Sequence, residues 1–320
     1  MRSAFLDRNS LDKSDLDLTA LDSALPGLRH YERTSADEVG DRVADLNAVV
    51  VNKVVLDEKA LAAAPDLRLI LVAATGTNNI DLQAARARGI TVCNCRGYGT
   101  DAVAQHAIGL MLALSTRLVD YHNAVQAGDW GRSDQFCLLD YPISELSGRT
   151  LGLVGYGELG RRVADLARAF GMTVKVAARP GTATPSPDRI PLTDLLPEVD
   201  VLSLHCPLTE ATRDLIGTEE LRQMPSHSLL INCARGGIVN EPALADALRS
   251  GQIGGAGVDV LSEEPPVHGN PLLARDIPNL IVTPHSAWGS REARQRIVAQ
   301  LAEAATAYLD GHPVRVVGVD

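Results

Sequence analysis

The run Val154-Gly155-Tyr156-Gly157-Glu158-Leu159-Gly160 has the residue types and spacing of a phosphate-binding loop. It follows the apolar segment Thr150-Leu151-Gly152-Leu153-Val154 and precedes an amphipathic stretch, so G-x-G-x-x-G stands between an expected strand and an expected helix. There Gly155 permits a tight turn, Gly157 lets the backbone approach a pyrophosphate, and Gly160 lets helix and strand pack closely. The anion meets free N–H groups at the helix start, which need no side-chain charge. A dinucleotide is the expected ligand. The acidic partner for a ribose 2′-hydroxyl, usual about twenty residues further on, is missing: the segment reads Lys175-Val176-Ala177-Ala178-Arg179-Pro180, with no carboxylate until Asp188. Arg179 suits a 2′-phosphate instead, so NADP is expected to be accepted, with NAD the competing cofactor.

Three further segments carry polar groups at the ends of apolar strands, where open α/β sheets bind ligands. They are Ile231-Asn232-Cys233-Ala234-Arg235-Gly236-Gly237, then Gly257-Val258-Asp259-Val260-Leu261-Ser262-Glu263-Glu264-Pro265-Pro266, then Ile281-Val282-Thr283-Pro284-His285-Ser286-Ala287-Trp288. Five cysteines, at 93, 95, 137, 206 and 233, include no C-x-x-C pair, and no His or Cys pair has zinc-ligand spacing. No metal site is expected. Neither Cys206 nor Cys233 sits in a Cys–His arrangement with a third orienting group, so thiol catalysis is not expected either.

The elements that must position these groups are short β-branched runs alternating with longer Ala/Leu/Arg-rich stretches, the pattern of parallel β-α-β units. Strands are expected at 48–51, 69–72, 91–93, 150–154, 174–177, 201–204, 229–231 and 280–282, and helices at 81–88, 102–115, 159–170, 242–250 and 291–309. Residues 180–187, rich in Pro, Thr and Ser, read as a loop insert. Three hundred and twenty residues exceed one ordinary core. The Gly-rich loop at 94–100 and the turn at 288–290 are the candidate boundaries.

Apolar residues at 45% and charged residues at 22% exclude a disordered chain. A net charge of −10 disfavours nucleic-acid or anionic-membrane partners, which require a basic face. Met1 to Arg8 turns acidic before any apolar run develops, so no secretory signal is expected, and the odd cysteine count suits reduced thiols in the cytoplasm.

Together the glycine loop and the three polar segments resemble the D-isomer-specific 2-hydroxyacid dehydrogenases. The resemblance runs from Ala73-Ala74-Thr75-Gly76-Thr77-Asn78-Asn79-Ile80-Asp81 to the helix after Trp288. It implies two Rossmann-like α/β domains with parallel sheets and a cleft between them: a discontinuous, flavodoxin-like substrate domain at 1–98 and 289–320, and a dinucleotide-binding domain at 99–288. It also implies the catalytic set. Arg235 matches the arginine whose planar fork holds a substrate carboxylate and polarises the ketone. His285 matches the general acid/base, and Glu264, directly before a proline, matches the carboxylate that orients it. Thr75-Gly76-Thr77 matches the loop whose amides bind the carboxylate. Cofactor contacts are implied for Val103, Gly155, Tyr156, Gly157, Glu158, Leu159, Gly160, Arg179, His205, Cys206, Pro207, Thr212, Cys233, Ala234, Arg235, Asp259, His285 and Ala287, with Asp259 on the carboxamide.

Asn52-Lys53-Val54, Arg96-Gly97-Tyr98, Arg132-Ser133-Asp134-Gln135-Phe136 and His285-Ser286-Ala287-Trp288 look like the glycerate dehydrogenase (hydroxypyruvate reductase) branch. Hydroxypyruvate, with glyoxylate as a lesser substrate, is the expected small 2-keto acid. Lys53 adds a second cation near it and Trp288 closes the pocket. The helix at 102–114 resembles the family's dimer helix, with Gln105 where glutamate is usual, and implies a homodimer. The sequence ends at Asp320, so neither the regulatory domain of some phosphoglycerate dehydrogenases nor the long N-terminal extension of the formate-specific branch is expected. The competing readings are a dinucleotide-sensing corepressor-like binding protein on the same fold, and a 2-hydroxyacid dehydrogenase for another small 2-keto acid.

Overall fold

The computed structural model describes residues 1–179, 181, 186 and 188–318, so most of the expected loop insert at 180–187 lies outside the described residues. The chain divides into two compact units: Met1–Gly99 with the chain from Gly289 onward, and Thr100–Trp288.

In the first unit, β1 (Ser3–Phe5), β2 (Arg29–His30), β3 (Ala48–Val51), β4 (Leu69–Val72) and β5 (Thr91–Asn94) form a parallel sheet in the order β2-β1-β3-β4-β5. Val49 pairs with Ile70, and Ile70 with Val92. Every residue of β3 and β4 is buried, as expected for unbroken apolar runs in a parallel sheet covered on both faces. Asp57 and Asp81 start the helices Glu58–Ala62 and Leu82–Ala87, each carboxylate accepting the N–H three residues on at 2.8 Å. Ser290 caps the returning helix Arg291–Leu309, which packs on Thr19–Ala24 and β4. The tail then bridges Val316 to Cys93 along the edge of β5, so that edge is not left bare.

In the second unit, β6 (Thr150–Val154), β7 (Thr173–Val176), β8 (Val201–Leu204), β9 (Leu229–Asn232), β10 (Gly255–Val258) and β11 (Leu280–Val282) form a parallel sheet in the order β11-β10-β9-β8-β6-β7. β6 feeds β7 on one side, and the chain then crosses to β8 on the other. In sheets of this kind the point of reversal, at the C-terminal strand ends, is the ordinary ligand site. The helix Thr100–Ser115 packs against β9, β10 and the helix Glu158–Ala169. Its Ala104, Ala107, Ile108, Leu110, Met111 and Leu114 lie in the core with Leu151, Leu153 and Ile231. The apolar face of that helix is therefore covered by the unit's own sheet and neighbouring helix. Several large exposed apolar side chains fall on the segment 118–143, among them Leu118, Trp130, Phe136 and Leu139.

Three strands were absent from the sequence expectation. β1 and β2 are three and two residues long, too short for a recognisable run. β10 reads Gly-Ala-Gly-Val, a poor strand composition by propensity. Packing explains it: the Leu110 Cβ lies 3.0 Å from where a Gly257 side chain would begin, so the glycine lets the helix approach the sheet. Among the described residues no single helix is long and apolar enough to cross a membrane.

Candidate active site

β6 delivers the chain into Gly155, where φ is 98° and a Cβ would stand 2.5 Å from the His205 carbonyl carbon and oxygen. Only glycine meets both conditions. A Cβ on Gly160 would stand 2.2 Å from the Gly155 oxygen, so helix and loop are in backbone contact. Gly157 is different. Apart from its own chain neighbours, no atom of the described residues lies within 4 Å of where its Cβ would be, so internal packing does not call for glycine there. Open ground before the first turn of Glu158–Ala169 fits a bound pyrophosphate, and a dinucleotide fits the residues present.

β8 runs into His205-Cys206-Pro207 beside that loop. His205 Nε2 lies 2.8 Å from Ser203 Oγ, while buried Nδ1 meets no hydrogen-bond partner among the described residues. Burial pulls this imidazole from 6.5 down to about 4, so the ring is neutral near pH 7. Thr212 Oγ1 accepts the Thr209 N–H and donates to the Pro207 carbonyl, both at 2.7 Å, which fixes the turn after β8. Cys206 and Cys233 are buried, and burial raises both thiols, so neither is a ready thiolate. Val103 is half-buried against the same core.

Arginines surround Tyr156. The guanidinium carbons of Arg189 and Arg161 lie 5.1 and 5.9 Å from its ring centroid, and Arg168 Nη2 donates to its hydroxyl at 3.4 Å. Arg189 arrives there because Ile190 pairs beside β7, its N–H on Val176 and its carbonyl accepting from Ala178. The exposed Arg179 follows directly after that pairing.

On β9, Asn232 bends the chain toward Arg235. Its Oδ1 accepts the Ala234 N–H at 3.1 Å and its Nδ2 donates to the Arg235 carbonyl at 3.0 Å. The Arg235 side chain is exposed, with Nη1 donating to the Ala234 carbonyl at 2.7 Å. A Cβ on Gly236 would stand 1.9 Å from the Leu261 carbonyl oxygen. The Arg235 loop therefore lies directly on the backbone that leads to Glu264. Glu264 Oε1 accepts the Leu261 N–H at 2.8 Å, and Oε2 lies 2.6 Å from His285 Nδ1. Its neighbour Glu263 pairs with His268 at 2.7 Å instead. A carboxylate on Nδ1 assigns the proton to that nitrogen, so Nε2 is the nitrogen that could exchange a proton with a bound molecule.

His285 has a left-handed backbone, φ 52°, which is uncommon outside glycine. Asp259, 1% exposed, holds it there. Its carbonyl accepts the His285 N–H at 2.8 Å; its Oδ1 accepts from Thr283 Oγ1 at 2.5 Å and Ser286 N at 2.9 Å; its Oδ2 accepts Ala287 N at 3.0 Å. Read from the resemblance as a carboxamide contact, Asp259 has its carboxylate committed to the loop that carries His285.

In the first unit, buried Asp7, just past β1, gathers three successive N–H groups: Asn52 at 2.9 Å, Lys53 at 2.6 Å and Val54 at 3.2 Å. Asn79 Nδ2 donates to the Val54 carbonyl at 2.9 Å, and Asn94 Nδ2 to the Thr75 carbonyl at 2.7 Å. These ties bring the Lys53 segment and Thr75-Gly76-Thr77 to one rim, at the C-terminal ends of β3 and β4. Lys53 and Thr75 are exposed; Gly76, Thr77 and Trp288 are half-buried. The positioning roles of Asp7, Asn79, Arg189 and Thr283 escaped the sequence reading. Each acts across a long stretch of chain, and an isolated polar residue beside an apolar run carries no local signal.

Known proteins resemble this chain over most of its length. Residues 108–287 match the family model described as the D-isomer specific 2-hydroxyacid dehydrogenase, NAD binding domain. The chain is 45% identical over 309 residues to a glycerate dehydrogenase of Methylorubrum extorquens, covering 96% of this chain and 97% of the relative. It is 35% identical to a hydroxypyruvate reductase of Blautia hydrogenotrophica, covering 99% of both. Among solved structures, the NADPH-dependent glyoxylate/hydroxypyruvate reductase of Sinorhizobium meliloti, in complex with citrate, superposes with a TM-score of 0.83 at 28% identity, covering 99% of this chain and 98% of that one.

Proposed function

Because the chain belongs to the D-isomer specific 2-hydroxyacid dehydrogenases, we propose that it reduces a small 2-keto acid, hydroxypyruvate foremost and glyoxylate second, to the D-2-hydroxy acid. A nicotinamide dinucleotide bound along the glycine loop supplies the hydride. Arg235 binds the carboxylate with its planar fork and polarises the ketone oxygen. The proton for that oxygen comes from His285 Nε2, and the ring regains it from solvent; in the oxidative direction the neutral ring takes the hydroxyl proton. Glu264 keeps the imidazole in one orientation through turnover. In the same reading Lys53, the amides of Thr75-Gly76-Thr77 and Trp288 are further substrate contacts.

NADPH is the preferred form in this reading, because Arg179 and the Arg189 beside Tyr156 supply cations where a carboxylate would repel a 2′-phosphate. The observation that carries the function is the 2.6 Å contact of Glu264 with His285 Nδ1, on a loop pressed against that of Arg235. The test follows NADPH and NADH absorbance with hydroxypyruvate, glyoxylate and pyruvate, for the wild-type chain and for His285→Ala. Turnover is expected with NADPH and hydroxypyruvate, with most of kcat lost in the variant. No oxidation of either cofactor would refute the proposal and favour the partner-binding alternative.

A further inference from the structure

Among the histidines that the mechanism does not use, His106 touches the network around His285. His106 stands on the helix Thr100–Ser115, outside the residues matched by the family model, with its side chain 25% exposed. Its Nε2 lies 3.0 Å from Thr283 Oγ1 and 3.7 Å from Asp259 Oδ1. Thr283 has a single hydroxyl proton, and that proton is spent on the buried Asp259 carboxylate at 2.5 Å, the length of a charge-assisted bond. The hydroxyl can therefore only accept from His106, so the imidazole carries its proton on Nε2. The result is a directed chain: His106 N–H to the Thr283 hydroxyl, hydroxyl to the Asp259 carboxylate, and carboxylate to the N–H groups of Ser286 and Ala287.

Those two N–H groups follow His285 directly, and the His285 N–H ends on the Asp259 carbonyl at 2.8 Å. The left-handed turn at His285 is thus tied to Asp259 on both sides, and a backbone in that region persists only when its surroundings over-determine it. We infer that His106 is a positioning residue for the proton donor: from a helix that bears none of the proposed catalytic groups, it fixes the Thr283–Asp259 pair that holds His285 toward its substrate. This rests on the reading of His285 as the general acid. It adds a member of the site that acts through two intermediates.

The test compares His106→Leu and His106→Gln by steady-state kinetics with NADPH and hydroxypyruvate, NADPH binding and thermal melting. Losing one donor to a charge-bearing network is expected to lower kcat about tenfold in the Leu variant, with NADPH affinity unchanged. Gln, whose amide can restore the N–H, is expected to return kcat to within about threefold of wild type. In a His285→Ala background, His106→Leu is expected to leave the residual rate unaltered, because the two act through one group. Wild-type kcat in the Leu variant, a Gln variant no better than Leu, or additive losses in the double variant would overturn the inference alone. A wild-type chain inert toward 2-keto acids, or an unimpaired His285→Ala variant, sinks the reading of the site and this inference with it.

Discussion

Gly236→Ala isolates the contact on which the site is built. Arg235 sits on one loop and Glu264 on another, and the only side chain that permits their close approach is a hydrogen. An alanine Cβ would stand 1.9 Å from the Leu261 carbonyl oxygen, 2.1 Å from its carbon and 2.5 Å from the Ser262 nitrogen, whereas Cβ atoms essentially never come within 3.0 Å of such atoms. All three atoms are backbone, so no rotamer change relieves the overlap; the loops must part by about 1 Å or more. Leu261 is also the residue whose N–H holds Glu264 Oε1, so Glu264 moves with it and drags the 2.6 Å contact to His285. A displacement of about 1 Å between catalytic groups costs roughly a hundredfold in rate, or about 2.7 kcal/mol of transition-state stabilisation. Gly236→Ala is therefore expected to cut kcat/KM for hydroxypyruvate about a hundredfold while the glycine loop, on β6, still binds NADPH. Initial rates, a fluorescence titration with NADPH and a melt of the same preparation separate these effects. Wild-type kcat/KM in a folded Gly236→Ala chain would show that the two loops do not form a rigid pair.

Three further outcomes follow from particular contacts. Gly157→Ala meets no atom of the described residues beyond its chain neighbours, so its melting temperature should match wild type while NADPH binding weakens by tenfold or more, on the order of 1.4 kcal/mol; an unchanged titration would place the pyrophosphate elsewhere. Asp7→Asn offers one acceptor oxygen to three N–H groups and turns an amide donor toward them. It should raise KM for hydroxypyruvate several-fold with NADPH affinity intact, and Lys53→Met should mask the effect; a KM equal to wild type would separate Asp7 from the substrate rim. His205 is held neutral, with its pKa lowered from 6.5 to about 4 by burial. The unfolded chain binds the extra proton between those values, so stability is full above about pH 6.5 and falls as pH drops toward 4, by up to about 3 kcal/mol. Urea unfolding near neutral pH and at about pH 4.5 should show a smaller loss for His205→Gln than for wild type, and equal losses would remove burial of this ring as the cause.

Local pattern was enough for much of this protein. Unbroken apolar runs such as Val49-Val50-Val51 and Leu69-Ile70-Leu71-Val72 give buried parallel strands, because alternation disappears when both faces are covered. The G-x-G-x-x-G run is legible because its glycines answer to neighbours close in sequence or to the adjacent strand end. Arg235, Glu264 and His285 were readable through their motifs as strand-end polar groups. Tertiary structure decided what those groups touch. Gly-Ala-Gly-Val becomes a strand because Leu110 presses on Gly257. The helix Thr100–Ser115 spends its apolar face on the unit's own sheet, and hydrophobicity alone could not say which surface would cover it. Glu264 rather than Glu263 meets His285, Arg189 reaches Tyr156, and Asp7 gathers the Lys53 loop, since each pairing joins segments brought together only by strand order. Periodicity reports which face of an element is buried; the partner a polar group finds there depends on sheet order and register, and these are set by the whole chain at once.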